Sequence, residues 1–306
     1  MVKALWLLLS IGPTRPAYAG PLSGDAGRRH AAIERPDDAV CKMLRHVFPL
    51  RSPDDLQLRR IRKYPWIHVH NGTTYYPSRA DLIRTIYRFD SVSNPYANVQ
   101  PFSNDEMKLV RSYPSSAVEA ADQIEAFILQ KHGSLPQCMV EVGSFVGSST
   151  ANVWGPFAKR KGGLVLSVDT WQGDSILRLN PWAKRFMNVT GGLPGVYHIF
   201  MRHMATAGLA DTVYPLAMAA TAGARLLDIM KWKFDVVYVD TAHEQGDTLI
   251  EIHYYYELLR PGGLLLGDDY DLFPSVKHDV DLFAQCVNAS VLLMGKRKNI
   301  WSITKP

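Results

Sequence analysis

From Cys138 onward the chain alternates short apolar runs with helical segments, and this alternation restricts its fold more than any other feature. The runs are Cys138–Val142, Leu164–Val168, Val213–Leu216, Phe234–Val239 and Gly263–Leu266. Near-continuous Val and Leu suit strands covered on both faces, and strands separated by helices run parallel. The tail adds Val291–Met294 and Ile300–Ile303 around Gly295–Asn299, which reads as an antiparallel hairpin. The expected fold is a three-layer α/β/α sandwich, its seven-stranded sheet mostly parallel and closed by that hairpin.

Upstream the pattern is weaker. Ser115 and Ser116 are positioned to cap a helix whose apolar face carries Val118, Ala121, Ile124, Phe127 and Ile128, and Gly133 ends it. Residues 21–114 are irregular, rich in Arg, Pro, Tyr and Asn, with helical stretches expected at Asp38–Val47 and Arg79–Tyr87. The first residues have the layout of a signal peptide: Lys3, an apolar run from Ala4 to Ile11, then Ala17-Tyr18-Ala19 before Gly20. The run is too short to span a membrane, and no other segment is long and apolar enough. The expected organisation is therefore a leader over 1–19, an extension over 20–114, and a catalytic domain over 115–306. Sequons at Asn71, Asn188 and Asn288 agree with entry into the secretory pathway. An organelle or the cytoplasm is the alternative location.

Three cysteines, Cys41, Cys138 and Cys286, lie far apart without paired spacing. They argue against a zinc motif and a disulfide framework, and Cys138 reads as a buried small hydrophobe. The net charge of +5 is mild. An early basic stretch lacks any nucleic-acid-binding signature, so nucleic acid is not an expected partner. Self-association stays open.

The chemistry gathers at the ends of the apolar runs. The first leads into Glu141-Val142-Gly143-Ser144-Phe145-Val146-Gly147-Ser148-Ser149-Thr150. Glycines at a strand-to-helix turn let backbone approach a ligand, and the helix start offers free N–H groups. The spacing is not Gly-x-Gly-x-x-Gly, which argues against a nicotinamide cofactor. Strand two ends at Asp169, followed by Thr170 and Trp171: an acid placed to take both ribose hydroxyls, and a ring that stacks near an adenine or caps the core. Later strands deliver Asp240, then His243 three residues on, and Asp268 with Asp269. Three carboxylates at one sheet edge repel unless a cation neutralises them, and hard oxygen ligands suit Mg²⁺ or a similar ion. His243 is then placed to take a proton from a hydroxyl.

These motifs, in this order, resemble the class I S-adenosylmethionine-dependent methyltransferases with their Rossmann-like fold. Val-Glu-Val-Gly-Ser-Phe-Val-Gly-Ser-Ser-Thr, Val-Asp-Thr-Trp, Val-Tyr-Val-Asp-Thr-Ala-His, Leu-Arg-Pro-Gly-Gly and Gly-Asp-Asp-Tyr carry the resemblance. It is strongest to methyltransferase family 24, near the macrocin and mycinamicin sugar O-methyltransferases, and the layout is similar to the metal-dependent catechol and caffeoyl-CoA enzymes. It implies that Glu141, Gly143 and Ser149 line the methionine and ribose portion of the cofactor, and that Asp169 holds the ribose. The cofactor-binding candidates are thus Glu141, Gly143, Ser144, Phe145, Gly147, Ser149, Asp169, Thr170, Trp171 and Asp240. It also implies metal ligation by Asp240, Asp268 and Asp269, with His243 as general base where the catechol type has lysine. Asp269 stands where that type has asparagine. A histidine base is the sugar-modifying pattern and points to a sugar, glycoside or small-molecule hydroxyl as acceptor.

Two rival readings differ in class. A non-catalytic domain binding a nucleotide or a partner is disfavoured by the intact Asp240, His243, Asp268 and Asp269. An iron site with two histidines and one carboxylate is disfavoured because no second histidine ends a strand here. The stretch Gln172–Asp211, with Trp182, Phe186 and Tyr197, reads as a long insertion forming a substrate lid.

Overall fold

The computed structural model describes residues 36–47, 80, 86–87 and 95–306, apart from 112, 182, 188 and 242. In chain order the helices are α1 (Pro36–Val47), α2 (Asn104–Arg111), α3 (Ser116–Glu119), α4 (Ala121–His132), α5 (Gly155–Lys159), α6 (Ser175–Leu179), α7 (Val196–Thr206), α8 (Ala220–Ile229), α9 (Asp247–Leu258) and α10 (Pro274–Cys286). The strands are β1 (Cys138–Val142), β2 (Leu164–Asp169), β3 (Val189–Thr190), β4 (Leu193–Pro194), β5 (Val213–Ala217), β6 (Phe234–Val239), β7 (Leu259–Gly267), β8 (Leu292–Met294) and β9 (Ile300–Thr304).

Seven strands form one sheet in the order β5-β2-β1-β6-β7-β9-β8. The pairings among β5, β2, β1, β6 and β7 are parallel, and β9 runs antiparallel to both β7 and β8. This is the expected Rossmann-like α/β/α sandwich with its antiparallel tail. Within each strand the side chains alternate between two cores. Val140, Val142, Leu166, Val168, Val237 and Val239 pack towards α1, α8, α9 and α10. Met139, Val165, Val236, Tyr238, Leu264 and Leu266 pack towards α4, α5 and α7. Burial on both faces explains why the strands read as unbroken apolar runs, and each large apolar side chain so buried contributes roughly 1.5–3 kcal/mol.

Register decides where the chemistry emerges. Val142 lies opposite Val168 on one side and Val239 on the other, and Val239 lies opposite Gly267. The residues that follow, Gly143, Asp169, Asp240 and Asp268, therefore leave the sheet along one carboxyl edge. Strand order reverses at β1 and β6, and such a reversal opens the crevice where ligands collect.

Three sequence expectations change. The helix before β1 is broken at Ala120 into α3 and α4; Ser115 makes no side-chain cap bond and Val118 is exposed, because the break turns its side out of the apolar stripe. Gly133 ends α4 at φ 67° as expected, its N–H bonding Leu129 O at 2.8 Å. The stretch after β2 is not all insertion: α7 is an ordinary layer helix whose Phe200 and Met204 are fully buried, which leaves 172–195, with α6 and the β3–β4 hairpin, as the extra segment. Trp182 lies outside the described residues, as do the leader, Asn71 and most of Arg79–Tyr87. Finally, Cys41 and Cys286 form a disulfide. They are 245 residues apart, and only the packing of α1 on α10, invisible in local spacing, brings them together. Cys138 is buried and free.

The extension also joins the domain. Val40 and Leu44 enter one core and Tyr96 and Val110 the other, while Tyr87 and Tyr96 donate hydroxyls to Pro215 O (2.7 Å) and Val213 O (2.9 Å). Among the described residues no helix is long and apolar enough to cross a membrane.

Candidate active site

The turn after β1 is built around a buried acid. Glu141 accepts hydroxyls from Ser144 (2.9 Å), Ser149 (2.5 Å) and Thr150. Burial holds its carboxyl at about 7, against the pull of those three bonds. Gly143, at φ 87°, has no room for a side chain: a Cβ would lie 1.7 Å from the Asp240 carbonyl oxygen. Gly147, at φ 80°, similarly meets Met204 and Phe200. Glycine here closes the turn onto β6 and α7.

Asp169 locks the other side. Its two carboxylate oxygens accept the backbone N–H of Phe145 (2.8 Å) and of Trp171 (2.7 Å), and the Trp171 indole donates to Phe145 O at 2.8 Å. Phe145 and Trp171 both sit at positive φ, 44° and 52°, a conformation unfavourable for side chains of this size. One carboxylate thus holds two strained residues. Burial raises its pKa, and the backbone bonds oppose that rise.

At the edge of β6 and β7 the groups repel. Ligating atoms of Asp240, His243 and Asp269 lie within 4.8 Å of one another. Burial, then repulsion from Asp268 and Asp269, pushes Asp240 well above the ordinary carboxyl value. His243 Nε2 bonds Asp269 Oδ2 at 2.6 Å, and its ring stacks on Phe273 at 4.1 Å. Burial disfavours the imidazolium, but Asp269, Asp174 and Glu244 together outweigh it and raise the histidine's pKa. Its Nδ1 is buried without a hydrogen-bond partner, 3.9 Å from Asp174 Oδ2. Asp268 does not join the cluster. It accepts the Tyr238 hydroxyl (3.1 Å) and the Asp269 N–H (2.7 Å), and so steadies Asp269 at φ 67°.

Two cavities meet here. One, of about 310 Å³, runs along the ends of β5, β2 and β1, with Asp169 and Thr170 on one wall and Asp240 and Thr241 on another. Val168, Met218, Ala219 and Ala220 add apolar surface, and Glu251 of α9 reaches in. Burial, then the charge of Asp247, lifts Glu251 to about 7 against a hydrogen bond from Thr241. The second cavity, of about 380 Å³, opens over His243, Asp268 and Asp269. Its outer wall carries Tyr113, Ser115, Ser116, Asn180, Arg297 and Asn299. Both share Gly143, Phe145, Asp174, Leu177, Asp240 and Thr241.

Residues 140–270 match the family model of methyltransferase family 24, described as a methyltransferase domain. Over that segment the chain is similar to this family. That segment is matched as a methyltransferase domain. No curated protein sequence matches the chain. Among solved structures it is similar to an O-methyltransferase from Bacillus cereus in complex with SAH, at 13% identity over 67% of this chain and 92% of that one, TM-score 0.44. It is similar to the O-methyltransferase TomG from Streptomyces achromogenes in complex with SAM, at 16% identity over 72% and 99%, TM-score 0.44. The SAH-bound methyltransferase PaMTH1 from Podospora anserina gives 14% identity over 68% and 91%, TM-score 0.43.

Of the sequence candidates, Gly143, Phe145, Asp169, Thr170 and Asp240 line the first cavity of the methyltransferase, and Ser144 and Ser149 line the second. Glu141, Gly147 and Trp171 line neither: Glu141 organises the turn, Gly147 admits α7, and Trp171 is a core residue bonded to the turn. Sequence reasoning missed Tyr113, Asp174, Phe273 and Arg297, whose positions in loops carry no local signal. Glu251 did have one, being an acid in the apolar half-turn Leu249-Ile250-Glu251-Ile252.

Proposed function

We propose that this methyltransferase moves the methyl group of S-adenosylmethionine to a hydroxyl of a sugar, glycoside or similar polyhydroxylated small molecule. A divalent cation such as Mg²⁺ assists, held by Asp240 and Asp269. The observation that carries the reading is the wall shared by the two cavities. It puts Asp240 between an adenosyl-sized cavity and the histidine–carboxylate cluster.

The residues fit both groups. The first cavity pairs an acid suited to a ribose with apolar surface suited to a flat ring, and adds carboxylate charge near Asp240 suited to a sulfonium. Two mutually repelling carboxylates beside an imidazole are a donor set for a divalent cation. Bound there, the cation offsets the carboxylate charge and lowers the pKa of a nearby hydroxyl. Asp269 bonds Nε2 of His243, which orients the ring and leaves Nδ1 as the basic nitrogen. Nδ1 takes the acceptor's proton, and the hydroxyl oxygen displaces the methyl group from sulfur in line. Holding the two reactants in contact supplies much of the rate, on the order of 7–11 kcal/mol in favourable cases. Serines, asparagines and Arg297 beside the rings of Tyr113 and Phe273 suit an acceptor rich in hydroxyls.

The test follows S-adenosylhomocysteine release over a panel of sugars, glycosides and phenols, with and without excess chelator. Turnover is expected to vanish with chelator and return with Mg²⁺; full activity in chelator rejects the cation. We further propose entry into the secretory pathway, which the Cys41–Cys286 disulfide supports, since such bonds persist in oxidising compartments. Protein from its native host is expected to begin at Gly20; an intact Met1 rejects this.

A further inference from the structure

The first cavity holds a carboxylate, Glu251, that methyl transfer does not use. Glu251 sits on α9, whose Tyr255, one turn further on, donates its hydroxyl to Ala220 O at 2.9 Å. That bond pins the face of α9 to the start of α8, so Glu251 stands beside the segment Met218-Ala219-Ala220 that closes the cavity beyond β5. This segment is apolar and offers no side-chain hydrogen bond to a base. Glu251 Oε2 accepts the Thr241 hydroxyl, while Oε1 has no hydrogen-bond partner among the described residues. An acid that lines a cavity, with one oxygen held by its own chain, keeps acceptor capacity for a donor from a ligand.

We propose that Glu251 recognises the adenine of the cofactor, its Oε1 accepting a hydrogen bond from the exocyclic amino group. The assignment rests on the cofactor reading given above and extends it. With Asp169 on the ribose side, the ring lies over the apolar surface of Val168 and Met218, and Glu251 and Thr241 face its polar edge. Thr241 acts as a positioning residue, fixing which carboxylate oxygen faces the ring. A base with a carbonyl in place of the amino group meets an acceptor facing an acceptor, and the site rejects it.

Calorimetric titration with S-adenosylhomocysteine and with S-inosylhomocysteine, which lacks the amino group, decides the matter without any methyl acceptor. The wild-type protein is expected to prefer the adenosyl ligand by about 10- to 100-fold, the range for a hydrogen bond to a charged group. E251L is expected to bring that preference close to unity. E251Q, whose amide donates to a carbonyl as readily as it accepts, is expected to narrow it, and carries the test should E251L not fold. Equal weakening of both ligands, with the preference kept, assigns Glu251 a structural part only and overturns the proposal. A wild-type protein that binds S-adenosylhomocysteine without preference also overturns it while leaving the cofactor reading intact. Binding of neither ligand overturns both.

Discussion

The two halves of the crevice are built on opposite electrostatic plans. Around β1 and β2, every carboxylate oxygen is occupied: Glu141 takes three hydroxyls, and Asp169 takes two backbone N–H groups. Around β6 and β7, Asp240 and Asp269 crowd one another beside His243, whose Nδ1 has no partner. Satisfied polar groups rigidify a site, and unsatisfied ones are costly until something arrives to pair with them. The first half is a finished cradle; the second is a half-made site that ligands complete. Substitutions in the two halves are therefore expected to fail differently.

The largest effect falls in the second half. His243→Ala is expected to slow methyl transfer by roughly 10²–10⁴, the usual loss for a removed general base. Affinity for S-adenosylhomocysteine and thermal stability stay close to wild type, because among the described residues the ring's one hydrogen bond is to Asp269 and its stacking partner Phe273 lies outside the cofactor cavity. Turnover, titration calorimetry and thermal melts on one preparation separate these. A variant of normal rate removes His243 from the chemistry, and one that melts far earlier makes it a structural residue like those of the first half.

What sequence made legible follows the same division. The strands were legible because burial on both faces leaves unbroken apolar runs, and the strand-end acids because register carries Asp169, Asp240 and Asp268 to one edge. Which oxygen each acid offers was not. Asp268 and Asp269 are adjacent in sequence, yet only Asp269 turns to the cluster, because a positive φ swings it over while Asp268 bonds Tyr238. The family resemblance implies a cofactor contact for Glu141, whereas the structure shows it accepting three hydroxyls from its own turn. Tyr113 and the Cys41–Cys286 bond depend on long-range packing that no local pattern encodes.

Asp169→Ala probes the first half and is expected to do two things at once. The acid is a candidate partner for the ribose, and it also holds Phe145 and Trp171 in left-handed conformations. Losing a bond to a charged group costs about 1.5–3 kcal/mol. Affinity for S-adenosylhomocysteine is expected to fall about 10- to 100-fold, with a lower melting temperature because the turn relaxes. Calorimetry and melting report the two parts separately. Unchanged affinity with a lowered melt leaves Asp169 a lock for the turn alone; unchanged melting breaks the contrast between the halves.

The smallest effect concerns the pH response of the cradle. Burial holds Glu141 at about 7, above its ordinary 4.5. Between those values the folded chain keeps a proton at this position that the unfolded chain has released. The position's contribution to stability therefore falls as pH rises through that window and is flat above it. Between pH 5.5 and 7.5 the loss comes to about 2 kcal/mol, at about 1.4 kcal/mol per pKa unit. Glu141→Gln cannot ionise and lacks this slope, although it starts from a different stability because an amide replaces one acceptor oxygen with a donor. Denaturant unfolding of both proteins at pH 5.5 and pH 7.5 gives two stability gaps. The gap is expected to shift by about 2 kcal/mol in favour of the Gln variant on going to the higher pH. A gap that does not move with pH means the three hydroxyls hold Glu141 ionised throughout; the cradle is then as charged as the catalytic half, and the contrast between them rests on hydrogen bonding alone.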